Sequence, residues 1–142
     1  RLAAFEAESG GAVRIAWHEW PLLGETSETA AKAALAAKRQ GAYVAFHEAL
    51  MRGGFVATPV FLANLAERLD IDPERMLADM ESAETARAIA ESRALARLFA
   101  FPGTPALIVG RTVVVGEIDD ATLRALIDRE REDGPIPICA GR

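Results

Sequence analysis

The chain is poor in cysteine, histidine and basic side chains, and each shortage closes a class of function. One cysteine, Cys139, stands among 142 residues, which excludes an intrachain disulfide or a cysteine-rich metal cluster within them. Two histidines, His18 and His47, with no acidic motif at ligand spacing, give no reason to expect a metal site. Sixteen Lys and Arg against 21 Asp and Glu leave a formal charge of -5, which speaks against a nucleic-acid footprint or a basic membrane patch. No apolar run approaches the length of a membrane span. No G-x-S-x-G or phosphate-cradling glycine loop occurs, and no cofactor is expected. The first residues, "RLAAFEAESGG", carry neither an initiating methionine nor an apolar signal core, so they do not reveal a compartment.

What remains is an ordinary globular composition, 51% hydrophobic and 26% charged, of a size suited to one domain. Arg1 to about Glu8 reads as the last turns of a helix, with Leu2 and Phe5 on one face and Gly10-Gly11 ending it. "AVRIAWHEW" reads as a strand, in which Val13, Ile15 and Trp17 alternate with Arg14 and His18. A helical block follows over about 26–100. Thr26 or Ser27 suits its first N-cap, Thr58-Pro59 and Asp72-Pro73 pair an N-cap with proline at N1, and Ser82 suits the last. Gly41 and Gly53-Gly54 separate its earlier pieces, with no hairpin expected at the latter. Phe46 and Leu50, and Phe61, Leu65 and Leu69 at four-residue spacing, are expected in its core.

Beyond the block, Ala106–Val109 lacks alternation, as a strand buried on both faces does. The short link Gly110-Arg111 to Thr112–Val115 requires an antiparallel hairpin. Asp119 then caps a final helix with Leu123, Leu126 and Ile127 inward. The order is helix, strand, helical block, strand, strand, helix, an α/β plan. One domain is expected over 1–133, with 134–142 an extended tail.

Three positions draw chemical interest. Pro105, after Gly103-Thr104, stands at the mouth of the apolar strand, where proline removes a ladder donor. Glu19 falls in phase with Val13, Ile15 and Trp17; either it lies on the apolar face, where burial raises a carboxyl pKa, or the strand ends at His18 and it is solvated. His47 shares a helical face with Tyr43, Phe46 and Leu50, the spacing of a packed core residue.

"VRIAWHEWPLLG" at 13–24, "AFHEAL" at 45–50 and "GTPALIVG" at 103–110 resemble the DsbA-like thiol–disulfide oxidoreductases of the thioredoxin superfamily. The resemblance covers roughly Arg1 to Arg131. It implies a thioredoxin-like fold with an all-helical insertion, and a cis Thr104–Pro105 bond whose loop, Gly103 to Pro105, holds an extended substrate. It also implies that Glu19 tunes the protons of active-site thiols. Protein thiols or disulfides would be the substrates, a redox partner protein could recycle the enzyme, and the setting would be periplasmic or otherwise exported. The family's first strand and its Cys-X-X-Cys, a nucleophile at a helix N-terminus, have no counterpart between Arg1 and Arg142 and are expected upstream of Arg1. Cys139, in a proline-containing tail, is no replacement. The chain alone is therefore expected to be inactive. Two other readings stand beside this one: a redox-inactive thioredoxin-like binding or chaperone-type module, and a relative of the glutathione-transferase and isomerase branch.

Overall fold

The computed structural model describes residues 1–54 and 57–134. The tail reading, Cys139 and the two residues after Gly54 lie outside the described residues. The chain forms two compact units, Arg1–Ala96 and the residues from Arg97 onward.

The first unit holds α1 (Leu2–Glu8), α2 (Glu25–Lys38), α3 (Tyr43–Arg52), α4 (Pro59–Arg68), α5 (Pro73–Met80) and most of α6 (Ala83–Leu98). Local chemistry sets most of their starts. Thr58 Oγ1 accepts from Phe61 N, Asp72 Oδ1 from Glu74 N and Arg75 N, and Ser82 Oγ from Thr85 N, each satisfying amides that a helix leaves unpaired. The start of α2 differs from expectation. Its N-cap is Gly24 at φ 79°, with no side-chain cap, and Thr26 and Ser27 lie inside the first turn. Glycine reaches that dihedral without steric cost, and Glu25 and Glu28 then meet the positive end of the helix dipole.

The core gathers around α2, where Ala30, Ala31, Ala33, Ala34, Ala36 and Ala37 are all buried, and which packs against α3 and α5. Phe46, Leu50, Leu62, Leu65 and Met76 are its largest fully buried side chains. Phe61 and Leu69 are only partly buried, packed against that core. The inward row is Leu62, Leu65 and Ala66 of α4 with its C-cap Leu69, at i, i+3, i+4 and i+7; a spacing of four throughout drifts off a 3.6-residue face.

The segment from Val13 to Trp20 is extended but is not a strand: no ladder partner pairs with it among the described residues. Its alternation is nonetheless real. Val13, Ile15, Trp17 and Glu19 are half-buried, while Arg14, Ala16 and His18 are exposed. Side chains of α1 and its end hold the backbone instead: Ile15 N donates to Glu6 Oε1 (2.8 Å) and Val13 N to Ser9 Oγ (3.1 Å).

The second unit contains β1 (Ala106–Val109), β2 (Thr112–Val115) and α7 (Asp120–Asp133). The strands pair antiparallel, with Ala106 opposite Val115 and Val109 opposite Thr112, and are the whole sheet among the described residues. Gly110 turns the chain at φ 54°, and the turn is clamped to α7: Arg111 N and its guanidinium both donate to Glu130. Asp119 caps α7 through Thr122 N, Leu123 is buried, and Leu126 and Ile127 are half-buried. β1 is not buried on both faces. Leu107 and Val109 are half-buried, on the face shared with Thr112 and Val114, whereas Ile108 is 44% exposed beside Val113 and Val115. α7 packs on β1, and one helix covers one face of a two-stranded sheet.

Candidate functional site

In the first unit, the alternation of 13–20 turns Trp17 and Glu19 to one side, and one face of α3 supplies their partners. Tyr43 opens that helix and His47 follows one turn later, at the i,i+4 spacing that makes helix neighbours. Tyr43 Oη donates to Glu19 Oε1 at 2.7 Å, and His47 Nδ1 lies 2.8 Å from the same oxygen. The Tyr43 and His47 rings stack with centroids 5.5 Å apart, and Trp17 packs tilted against both, at 5.8 and 5.6 Å. Lys38 Nζ stands 5.8 Å over the Tyr43 ring. The Glu19 side chain is 12% exposed and that of His47 22%, so the carboxylate is held rather than solvated.

Burial pushes the Tyr43 phenol well above its ordinary value, and the negative charge of Glu19 and the bond to it add to the shift. A phenolate there would face a carboxylate, so Tyr43 serves as a donor. Glu19 thus lies where its phase along the chain put it. His47 is packed, as its helical spacing indicates, yet it is also the carboxylate's partner, which the spacing alone did not reveal. Tyr43 was not singled out either. The usable signal was an in-phase Glu facing a helix with Tyr and His at i,i+4.

In the second unit, Gly103, Thr104 and Pro105 lead into β1, and the Thr104–Pro105 peptide bond is cis. Thr104 and Pro105 are exposed and Gly103 is half-buried. The Pro105 carbonyl accepts from Gly116 N at 2.8 Å, which ties the loop to the end of β2. Among the described residues the backbone groups of Thr104 make no hydrogen bond. Also among them, no three His, Cys, Asp or Glu side chains are grouped to hold a metal, and no helix is long and apolar enough to cross a membrane.

The family described as "DSBA-like thioredoxin domain" matches residues 2–128. The chain belongs to this family. A crystal structure of a thioredoxin-like oxidoreductase from Silicibacter pomeroyi DSS-3 superposes on this DSBA-like domain with a TM-score of 0.80, at 36% identity, over 92% of this chain and 75% of that one. The α/β, thioredoxin-like fold with a helical insertion is therefore shared with that protein. Two curated relatives are Na(+)/H(+) antiporters, NhaA 3 of Salinispora tropica and NhaA 1 of Salinispora arenicola. Each is 34% identical over 99 residues, 68% of this DSBA-like domain, and the match spans 15% of their own length.

Proposed function

We propose that the protein is a thiol–disulfide oxidoreductase acting on protein dithiols or disulfides, through a Cys-X-X-Cys carried upstream of Arg1. The match to the DSBA-like family over residues 2–128 carries this reading. The oxidoreductase at 36% identity supports it. In such an exchange a thiolate attacks a disulfide sulfur, one S–S bond replaces another, and a second thiol resolves the mixed disulfide. The substrate chain would lie along Gly103, Thr104 and Pro105. Thr104 is exposed there with its backbone groups free among the described residues, which suits pairing with an extended peptide. Glu19 would tune the protons of the thiols, and the reaction belongs in an oxidising, exported compartment such as a periplasm.

The test compares insulin reduction by the intact protein with that by residues 1–142. Turnover by the intact protein, lost on replacing the upstream cysteines, is the expected result. Turnover by the short chain that vanishes on Cys139→Ser would overturn the assignment. A second reading has its own observation. The antiporters share this domain over a small part of their length, which suits a redox-inactive module joined to a larger protein. An intact protein with no cysteine upstream would favour it.

A further inference from the structure

We propose that the free edge of β2 is a homodimer contact, at which the β2 strands of two copies pair antiparallel about a two-fold axis at Val114. The register of the hairpin sets which backbone groups that edge offers. Gly116 N donates to the Pro105 carbonyl at 2.8 Å, and Leu107 stands opposite Val114 and Val109 opposite Thr112. Hydrogen-bonded and non-hydrogen-bonded pairs alternate along an antiparallel ladder, so Thr112, Val114 and Gly116 turn their backbone groups toward β1. Val113 and Val115 turn theirs outward. Among the described residues these groups meet no partner, since β1 and β2 are the whole sheet there. Edge strands are ordinarily blunted by lysine, proline, a bulge or an inward charge, and Thr112-Val113-Val114-Val115 carries none of them. Every one of these residues is β-branched, which suits a pleated ladder. Val113 and Val115 are 41% and 54% exposed beside the exposed Ile108, while α7 packs on β1, the strand farther from this edge.

The pattern selects a second copy as the occupant. An incoming strand must bring outward groups in matching phase, and β2 does so against itself. With Val114 facing Val114 across the axis, Val113 of each copy meets Val115 of the other, and both pairs exchange N–H and C=O groups. The apolar faces then run on as one surface, with Ile108, Val113 and Val115 contributed from each side. The same register sets Arg111 of one copy against Glu117 of the other, opposite charges at both ends. An axis at Val113 instead places Arg111 against Val115, and an axis at Val115 places Val113 against Glu117. The two-fold contact uses one edge per copy and closes, so it builds a dimer and no fibre. Strands of 4 residues bury less than a standard interface, so the dimer is weak and forms only in concentrated protein. The β1 edge, into which Thr104 and Pro105 lead, takes no part in it.

The experiment is sedimentation velocity on the intact protein over about 5–500 µM, the range a weak contact calls for. Wild type should pass from monomer to dimer across it. Val113→Lys and Val115→Lys put a charge at exposed positions of the edge, where the monomer tolerates it, and should weaken association at least about 10-fold. The register has its own readout. With the other cysteines replaced by serine, Val114→Cys should cross-link to a covalent dimer under diamide, since facing residues of a non-hydrogen-bonded pair stand about 4.5 Å apart. Val113→Cys, which would face Val115, should not. The amides of Val113 and Val115 should exchange freely in dilute protein and become protected in concentrated protein. A monomer throughout, a dimer indifferent to both lysine variants, or cross-linking at Val113→Cys alone overturns the inference. So does protection of those two amides in dilute protein, which would mean that another part of the intact chain already covers the edge. None of these outcomes touches the oxidoreductase reading.

Discussion

Replacing Tyr43 with phenylalanine removes one oxygen and leaves the ring contacts with Trp17 and His47 in place. What is lost is the 2.7 Å bond to Glu19 Oε1, which then keeps His47 as its partner. Hydrogen bonds to charged groups contribute about 1.5–3 kcal/mol. Glu19 is nearly buried, but its Oε2 makes no hydrogen bond among the described residues and is not sealed from water, which places the expected loss near the lower end, about 1.5 kcal/mol. For a chain of this length that corresponds to a fall in Tm of roughly 5 °C. Urea unfolding followed by Trp fluorescence gives the free energy directly. The decisive quantity is the coupling in the cycle with Glu19→Gln, expected at about 1 kcal/mol because Tyr43 Oη donates directly to Glu19 Oε1. Tyr43→Phe indistinguishable from wild type, or strict additivity with Glu19→Gln, would refute the account of this cluster.

Tyr43 is the only tyrosine, so tyrosinate absorbance near 295 nm reports it alone. Its raised pKa means that its contribution to stability is full below about 10, the ordinary phenol value, and is lost as pH rises toward the folded value; ionisation should coincide with alkaline unfolding, and a separate step near pH 10 in folded protein would contradict this. Asp72→Ala should cost about 1 kcal/mol and more than Thr58→Ala, since Asp72 accepts two amides at 3.0 and 3.1 Å and Thr58 one at 3.3 Å; equal costs in chemical denaturation would count against the cap geometry. Gly110→Ala places a Cβ at positive φ and into the Glu130 carboxylate that clamps Arg111, so its cost should shrink in a Glu130→Ala background; strict additivity of the two melting shifts would exclude that collision.

How much of this was readable in advance depends on how local each cause is. The caps at Thr58, Asp72, Ser82 and Asp119 were legible because each oxygen meets an amide within three residues of itself. The start of α2 was not, because it turns on the positive φ of Gly24 rather than on a polar side chain. The period-2 pattern of Val13 to Glu19 correctly gave the inward face, but it left Glu19 open between that face and solvent, and only the structure decides for the former. Whether such a segment is a strand depends on a ladder partner, which no local pattern contains. Likewise, β1 looked buried on both sides because Leu, Ile and Val are apolar whichever way they face, and Ile108 proved exposed. The partners of Glu19 lie 24 and 28 residues away, and Tyr43 and His47 at i,i+4 are also what a core face looks like.

The alanine-rich α2 has a consequence for motion. Where the largest buried side chain on most faces is a methyl group, neighbouring helices approach closely and leave little slack for sliding or rotation. Breathing of the first unit must then begin elsewhere. The extended run after α1, held by the side chains of Glu6 and Ser9 instead of a ladder, should open first, and its amide protons should exchange early. Those of Ala33 to Ala37 should be among the last, so that the segment carrying Glu19 can loosen and re-form against a helical spine that stays still.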